Sequence, residues 1–122
     1  MQIKESAENY LETIYMLGNK KDFVRSIDVA NELGYSKASV SVAMKSFREE
    51  GYIVINGDGG ITLTEKGLKI AEKMSERHNI IAKALMFLGV SEEIAYADSC
   101  KIEHDISQES FDKIKEFLQN RN

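Results

Sequence analysis

The 122-residue sequence contains no proline and only one cysteine. Proline is normally about 5% of a protein, and it breaks helices because it lacks a backbone N–H and clashes with the preceding turn. Its absence favours long uninterrupted helices, so we expect a mainly α fold. A single cysteine cannot form an internal disulfide. Cys100 is therefore a buried small hydrophobic residue, a reactive thiol or a metal ligand.

The sequence also lacks a long hydrophobic run. The longest apolar patches, such as residues 80–88, are interrupted by Lys83 and are far shorter than the roughly 20 residues that span a bilayer. The N-terminal stretch MQIKESAENY has no apolar segment of the kind found in signal peptides. These features predict a cytoplasmic protein with no membrane partner.

The sequence lacks a large excess of charge of either sign, since the net charge is only −4. Phosphate neutralisation requires Lys and Arg, so this value alone argues against a nucleic-acid partner. The distribution matters more, because residues 89–122 carry 4 basic and 8 acidic side chains whereas residues 1–88 carry 12 of each. Within residues 35–48, Lys37, Lys45 and Arg48 have no acidic neighbour. A basic DNA-binding face and an acidic C-terminal part can therefore coexist.

Apolar spacing in the first half of the chain predicts three helices. The first covers SAENYLETIYMLGNK and is expected to stop at Gly18. A short second helix is expected to have Ser26 as its N-cap and to end at Gly34. Ser36 can cap the third helix. Two helices joined by a tight turn that contains glycine are typical of a helix-turn-helix.

The segment YIVINGDGGITLT follows the third helix and predicts a β-hairpin, because two β-rich arms flank a glycine-rich tip. A hairpin in this position is the wing of a winged-helix domain, and its tip can approach a phosphate backbone. We therefore predict a winged-helix DNA-binding domain over residues 1–66. The expected DNA contacts are on the third helix, at Ser36, Lys37, Ala38, Ser39, Ser41, Lys45 and Arg48. Alternatively, the serines could serve only as a cap and first turn, and the cations could form an ordinary solvated face.

Residues 67–122 predict a second, helical domain. A long amphipathic helix from Thr64 to about Leu88 is followed by a helix capped by Ser91, EEIAYADSCKIEHDI, and by a last helix capped by Ser107. These helices offer too little surface to close a core alone, so their surplus apolar face predicts a dimer seam. The predicted fold is a winged helix-turn-helix domain followed by a helical dimerisation domain.

The stretch SCKIEHDIS places a thiol, a carboxylate and an imidazole at spacings of three and four. Side chains at these spacings share one face of a helix, so all three could enter one small volume, as metal ligation requires. The only other histidine and two polar residues of the first helix could add donors. The candidate ligands are Asn9, Glu12, His78, Cys100, Glu103 and His104. This mixed N, O and S set suits a divalent transition metal better than a closed structural zinc site.

Each candidate ligand also has an ordinary interpretation. A lone histidine is usually a surface or hydrogen-bonded residue, and an isolated cysteine is more often a buried hydrophobic residue. Single glutamates are usually solvated charges. Asn9 could equally be a surface or capping amide.

The order of elements and ligands resembles the diphtheria toxin repressor family, which comprises iron- and manganese-responsive repressors. The resemblance covers the whole chain. It is carried by ENYLETIYML, DVANELGYSKASVSVAMKSFREEGYI, ITLTEKG, ERHNIIAKALMFLGV and CKIEHDIS. It implies a homodimer that binds a double-stranded DNA operator when a metal, held between the DNA-binding and dimerisation parts, sets the spacing of the two recognition helices. No small organic substrate is expected.

The resemblance also implies a ligand set. Cys100, Glu103 and His104 fall where iron-type members place Cys, Glu and His, whereas manganese-type members have Glu at the cysteine position. Glu12 and His78 fall on ligand positions as well. Because a thiolate is a soft ligand, Fe(II) is the first expectation and Mn(II) the second. Co(II), Ni(II) and Zn(II) are possible surrogates.

The chain departs from the family pattern at three points. Asn9 stands where iron-type members have Met and manganese-type members have Asp. Ala82 and Tyr96 replace the Glu and His of the ancillary site of iron-type members, so we expect that site to be incomplete. Because the sequence ends at residue 122, we expect the two-domain form of the manganese regulators, without the third domain that iron-type members append.

Two further classes of function remain open at the level of sequence. The metal site could have decayed, or Cys100 could act as a redox switch, so that peroxide and not metal removal abolishes DNA binding. A metalloenzyme would need a nucleophile or general base beside an open metal position. The sequence places neither there, so we expect no enzyme activity.

Overall fold

A computed structural model describes residues 5–121 of the chain. In the part that it describes, six helices and one two-stranded sheet follow one another along the chain. They are α1 (Glu5–Lys20), α2 (Ser26–Leu33), α3 (Lys37–Glu49), β1 (Ile53–Ile55), β2 (Ile61–Leu63), α4 (Glu65–Phe87), α5 (Glu92–Ile102) and α6 (Gln108–Gln119). The predicted mainly α class, with helices, then a hairpin, then helices, is confirmed. None of the helices in this range combines the length and apolar character that crossing a membrane requires.

The chain divides into two compact units within α4, between Glu72 and Lys73. The first unit contains α1, α2, α3, the hairpin and the start of α4, and the second contains the remainder of α4 with α5 and α6. The domain boundary predicted at residues 66 and 67 stays a prediction.

The core of the first unit forms from the inward faces of its three helices and the hairpin. Leu11, Val29 and Val40 are fully buried there, one from each helix. The rings of Tyr10 and Phe47 meet edge to face with centroids 5.6 Å apart, an arrangement that aromatic quadrupoles favour. This core fixes the position of α3 relative to α1 and α2.

The helix-turn-helix forms as predicted. Gly34 adopts a φ of +72° after α2, a left-handed conformation that glycine reaches without a steric penalty. The Ser36 side chain then accepts a hydrogen bond of 3.1 Å from the Ser39 backbone N–H, which caps α3. On the inner face of α3, Val40, Met44 and Phe47 are buried.

Two predicted helix ends in this unit are wrong. Helix α1 continues through Gly18 to Lys20, because a helical glycine costs only about 1 kcal/mol relative to alanine and the burial of Leu17 offsets that cost. Helix α2 is capped at Arg25 and not at Ser26. There the Asp28 carboxylate accepts a 2.9 Å hydrogen bond from the Arg25 backbone N–H, so a carboxylate near the helix start replaces the serine.

The hairpin is antiparallel and pairs Ile53 with Leu63 and Ile55 with Ile61. Its tip closes through a 2.8 Å hydrogen bond that the Asn56 N–H donates to the Gly60 carbonyl. The hairpin is joined to the segment between α1 and α2, because the Ile61 N–H donates to the Val24 carbonyl at 2.8 Å.

In the second unit, the predicted end of the fifth helix is wrong. Helix α5 stops at Ile102, Glu103 is its C-cap, and the chain turns through His104. The predicted helical stripe of Cys100, Glu103 and His104 therefore extends to Glu103, whose backbone is right-handed helical and whose N–H donates to the Ser99 carbonyl at 3.0 Å, but it does not continue as a regular helix through His104. Helix α6 begins as predicted, since the Ser107 side chain accepts a 3.1 Å hydrogen bond from the Ser110 N–H. Ser91 occupies the N-cap of α5, but its side chain makes no capping hydrogen bond.

Candidate metal centre and nucleic-acid interface

The carboxylate of Glu103 lies between two imidazoles. Its Oε2 atom is 2.9 Å from Nδ1 of His78, and its Oε1 atom is 3.3 Å from Nε2 of His104. The side chains of Glu103 and His104 are 1% and 2% exposed, and that of His78 is 13% exposed. The turn after α5 brings about this arrangement, because it directs Glu103 towards α4 while His104 follows it in the chain.

Two residues of the last turn of α5 surround the same imidazole. The Ser99 hydroxyl, fully buried, donates a 2.8 Å hydrogen bond to the His78 carbonyl and lies 2.9 Å from His78 Nδ1. The Cys100 sulfur lies 3.6 Å from the same nitrogen. Because Cys100 is exposed, its interpretation as a buried hydrophobic residue is wrong.

A buried arginine holds the backbone of the turn that carries Glu103. The Arg77 Nη1 group donates to the carbonyls of Glu103 and Ile106 at 3.0 and 2.9 Å, and Nη2 donates to the Gln108 side chain at 3.0 Å. Arg77 is 5% exposed. Sequence reasoning missed both Arg77 and Ser99. The only signal was their position, each directly before a candidate ligand.

The two candidates on α1 lie three residues apart, and side chains at that spacing share one face of a helix. Glu12 is 4% exposed and Asn9 is partly buried. The interpretation of Glu12 and Glu103 as solvated charges is therefore wrong for both residues. Withdrawal of a carboxylate from water costs several kcal/mol unless positive charge or hydrogen bonds compensate.

The donors within the second unit fit a divalent transition-metal ion. Imidazole nitrogen, carboxylate oxygen and thiol sulfur are the ligand types that such ions bind, and here they meet around Glu103 and His78. A divalent cation would also supply the positive charge that a buried carboxylate needs. At the positions of the ancillary site, which was expected to be incomplete, Ala82 is fully buried, and the Tyr96 ring lies with its centroid 5.4 Å from that of His78, the two planes tilted by 46°.

All seven predicted DNA contacts are exposed on the first unit. They are Ser36, Lys37, Ala38, Ser39, Ser41, Lys45 and Arg48. Ser36 caps α3, and Ser39 lies in the first turn of that helix and bonds to Ser36. The interpretation of these serines as a cap and first turn is therefore correct, and it does not prevent them from also contacting DNA. The first turn of α3 carries no acidic residue, so no carboxylate of that turn offsets the positive charge of Lys37.

The second unit also has an open apolar groove of about 410 Å³. Its walls come from α4, the end of α5, and α6, and consist of Ile81, Ala84, Leu85, Phe87, Leu88, Ile102, Lys113, Ile114 and Phe117. Leu88 is 78% exposed and Phe87 is 55% exposed. Exposed apolar surface of this kind marks an interaction site, and it lies on the helices for which the sequence predicts a dimer seam.

Comparison with known proteins covers both units. Residues 2–61 match the N-terminal DNA-binding domain of iron-dependent repressors, and residues 64–122 match the metal-binding and dimerisation domain of the same proteins. The HTH-type transcriptional regulator MntR of Lysinibacillus sphaericus (strain C3-41) is 35% identical over 114 residues, which are 93% of this chain and 82% of that protein. The chain belongs to the diphtheria toxin repressor family. The MntR protein of Bacillus subtilis (strain 168) is also 35% identical, over 80% of its length.

Solved structures share the fold. The manganese regulator SloR superposes with a TM-score of 0.80 at 24% identity over 98% of this chain, and the metal-dependent transcriptional regulator MtsR with 0.84 at 25% identity over 93%. This chain spans 55% of the SloR chain and 53% of the MtsR chain. Membership of the family places the chain among metal-dependent transcriptional repressors and not among enzymes. The resemblance found in the sequence is thereby confirmed.

Proposed function

We propose that this protein is a homodimeric repressor that binds operator DNA when Fe(II) or Mn(II) occupies a site formed by α1 and the ligand-bearing helices of the second unit. The observation that carries the proposal is the buried Glu103 carboxylate between His78 and His104. A group that is expensive to bury and is bracketed by two imidazoles is typical of a metal ligand. The proposed ligands are Glu12, His78, Cys100, Glu103 and His104, with the Asn9 amide oxygen as a weak addition.

Two observations bear on the choice of metal. The exposed thiol of Cys100 lies 3.6 Å from His78 Nδ1, and a soft ligand there favours Fe(II) over Mn(II). By contrast, the structurally similar protein SloR is named as a manganese regulator, which favours Mn(II). We propose Fe(II) as the first metal and Mn(II) as the second, in the cytoplasm.

The dimer is proposed to form through the apolar groove of the second unit. Phe87 and Phe117 meet edge to face there, with ring centroids 5.7 Å apart, and present apolar surface to solvent. A second copy would bury this surface in a symmetric interface. Occupancy of the metal site would shift the dimer population towards the spacing at which both α3 helices enter the major groove.

The first experiment is an anaerobic titration with Co(II), followed by absorption. The wild-type protein is expected to reach saturation with a sulfur-to-cobalt charge-transfer band. Cys100→Ser is expected to bind Co(II) without that band, whereas Ser110→Ala, a hydroxyl change on the exposed surface of α6, should retain it. Saturation without the band in the wild type would remove Cys100 from the ligand set and favour Mn(II). No binding at all would contradict the proposed metal site.

A second candidate is a redox response, which the exposure of Cys100 favours. An exposed thiol can be oxidised to a sulfenic acid, which a buried one resists. DNA binding that survives metal chelation but is lost on treatment with peroxide, and is insensitive to peroxide in Cys100→Ser, would support this candidate over the metal-gated repressor.

A further inference from the structure

Val42 is an exposed aliphatic residue in the middle of α3. It is 71% exposed, whereas Val40 and Met44 on either side of it are buried. The inward positions of α3 are therefore already filled, and Val42 lies on the opposite side of the helix. Valine is also a weaker helix former than alanine by a few tenths of a kcal/mol. Its side chain here gives the fold neither burial nor helix propensity.

The surroundings of Val42 are uncharged at the centre and basic at the edges. Ala38, one turn earlier on the same face, and Ser41 beside Val42 are both exposed. Lys45 follows three residues later, and Lys37 precedes Ala38. A small apolar patch flanked by lysines is complementary to a polyanion that also offers methyl groups.

The size of this apolar patch decides what covers it. A protein partner would need contiguous apolar surface of several hundred Å², and one valine with one alanine falls well short of that. In the major groove of DNA, thymine presents its C5-methyl group at the base edge, and small apolar side chains contact that methyl. The lysines would meet the phosphates on either side.

We propose that Val42, together with Ala38, selects thymine by contact with its C5-methyl group in the major groove. This inference rests on the proposed function, because it requires α3 to enter DNA. It adds Val42 to the predicted DNA contacts, which already included Ala38, and gives both residues a role in specificity. Sequence reasoning did not identify Val42, because nothing in the residue type of a valine points to DNA contact.

The test begins with duplexes that the full-length wild-type protein selects from a randomised pool in the presence of Mn(II). Each selected thymine is then replaced by uracil, which removes only the methyl group from the major-groove edge. Affinities are measured by fluorescence anisotropy for the wild type, Val42→Ala and Lys45→Gln. Val42→Ala replaces valine by the best helix former, so α3 is expected to stay folded, which circular dichroism checks.

At one thymine per half-site, uracil is expected to weaken wild-type binding about fourfold, equivalent to about 0.8 kcal/mol for one buried methyl-sized group. Val42→Ala should bind the thymine duplex about fourfold more weakly and should not distinguish thymine from uracil. Lys45→Gln should weaken both duplexes equally and keep the fourfold preference, because a phosphate contact carries no base information.

A fourfold preference that Val42→Ala retains would overturn the inference and assign the methyl contact to another residue. Equal binding of thymine and uracil duplexes by the wild type would also overturn it. Both results leave the repressor proposal standing. If the wild type retains no duplex with Mn(II) or Fe(II), the proposed function itself fails and this inference fails with it.

Discussion

Oε2 of Glu103 lies 2.9 Å from Nδ1 of His78, although 25 residues separate them in sequence. The imidazole comes from the middle of α4 and the carboxylate from the C-cap of α5. Because both side chains are largely buried, their orientations are fixed by packing before any ligand arrives. Preorganisation of this kind lowers the entropic cost of binding, so these two side chains would need little reorganisation to serve in the proposed metal site.

Replacement Glu103→Gln is expected to lower the affinity for Mn(II) by about 100-fold or more. The amide keeps the size of the side chain but removes the negative charge, and even outer contacts to metal ligands are worth about 10- to 100-fold. Isothermal titration calorimetry measures the effect. Glu109→Gln, an exposed carboxylate on α6, is the matched control and should bind as the wild type does. Equal affinity in the two variants would remove Glu103 from the site.

Arg77→Met is expected to destabilise the protein by about 3 kcal/mol. The change keeps the apolar stem but leaves the Glu103 and Ile106 carbonyls without their donor, and each unsatisfied buried acceptor costs about 1–3 kcal/mol. Urea denaturation measures the loss, with Lys83→Met, an exposed cation of the same helix, as the control. A loss below about 0.5 kcal/mol would show that Arg77 does not hold the turn.

Local signals account for the parts of the fold that the sequence predicted correctly. The α3 cap at Ser36 and the turn at Gly34 depend on residues that are adjacent in the chain, and both formed as expected. The end of α5 was wrong, because its stop depends on contacts with residues far away in sequence. There Arg77, 26 residues before Glu103, accommodates the turn. No periodicity in the sequence reveals such a contact.

The candidate ligands were predictable from residue type and spacing, but not their environment. The spacing of Cys100, Glu103 and His104 indicated a shared volume, although on the wrong premise of a continuous helix. The burial of Glu12 and Glu103 could not be predicted, since isolated glutamates are normally solvated. The exposure of Val42 was not predicted either, because aliphatic residue type does not by itself assign a position to the outer face of a helix.

Gly67→Ala is expected to destabilise the first unit by several kcal/mol. A Cβ atom at this position of α4 would lie against the carbonyl oxygen of Tyr52, far inside van der Waals contact. That carbonyl accepts a 3.0 Å hydrogen bond from the Thr64 N–H, so the added methyl group can be accommodated only if the backbone of Tyr52 or of α4 shifts. Overpacking of this kind costs about 1–3 kcal/mol or more. Gly57→Ala, with no atom within 4 Å of its Cβ, is the control. Thermal denaturation that ranks the two variants equally would contradict the prediction.

Asp28→Asn is expected to lower stability at neutral pH by about 1 kcal/mol, the usual contribution of one capping interaction. The pKa of Asp28 is held below its ordinary value, first by the hydrogen bond from the Lys21 ammonium and then by that from the Arg25 backbone N–H. These bonds are 2.6 and 2.9 Å long. A carboxyl whose pKa is lower in the folded state stabilises that state at every pH above its unfolded value of about 3.9.

The stabilisation by Asp28 should therefore be constant from pH 7 to pH 5 and should disappear as the pH falls through the lowered pKa. Thermal denaturation of the wild type and Asp28→Asn across this range measures the difference in melting temperature. Asp22→Asn, exposed in the loop between α1 and α2, should match the wild type at every pH. A difference between the wild type and Asp28→Asn that did not shrink as the pH fell below the unfolded value of about 3.9 would show that the ionised carboxylate is not its source, because below that value each drop in pH favours the unfolded state, which binds the proton more readily.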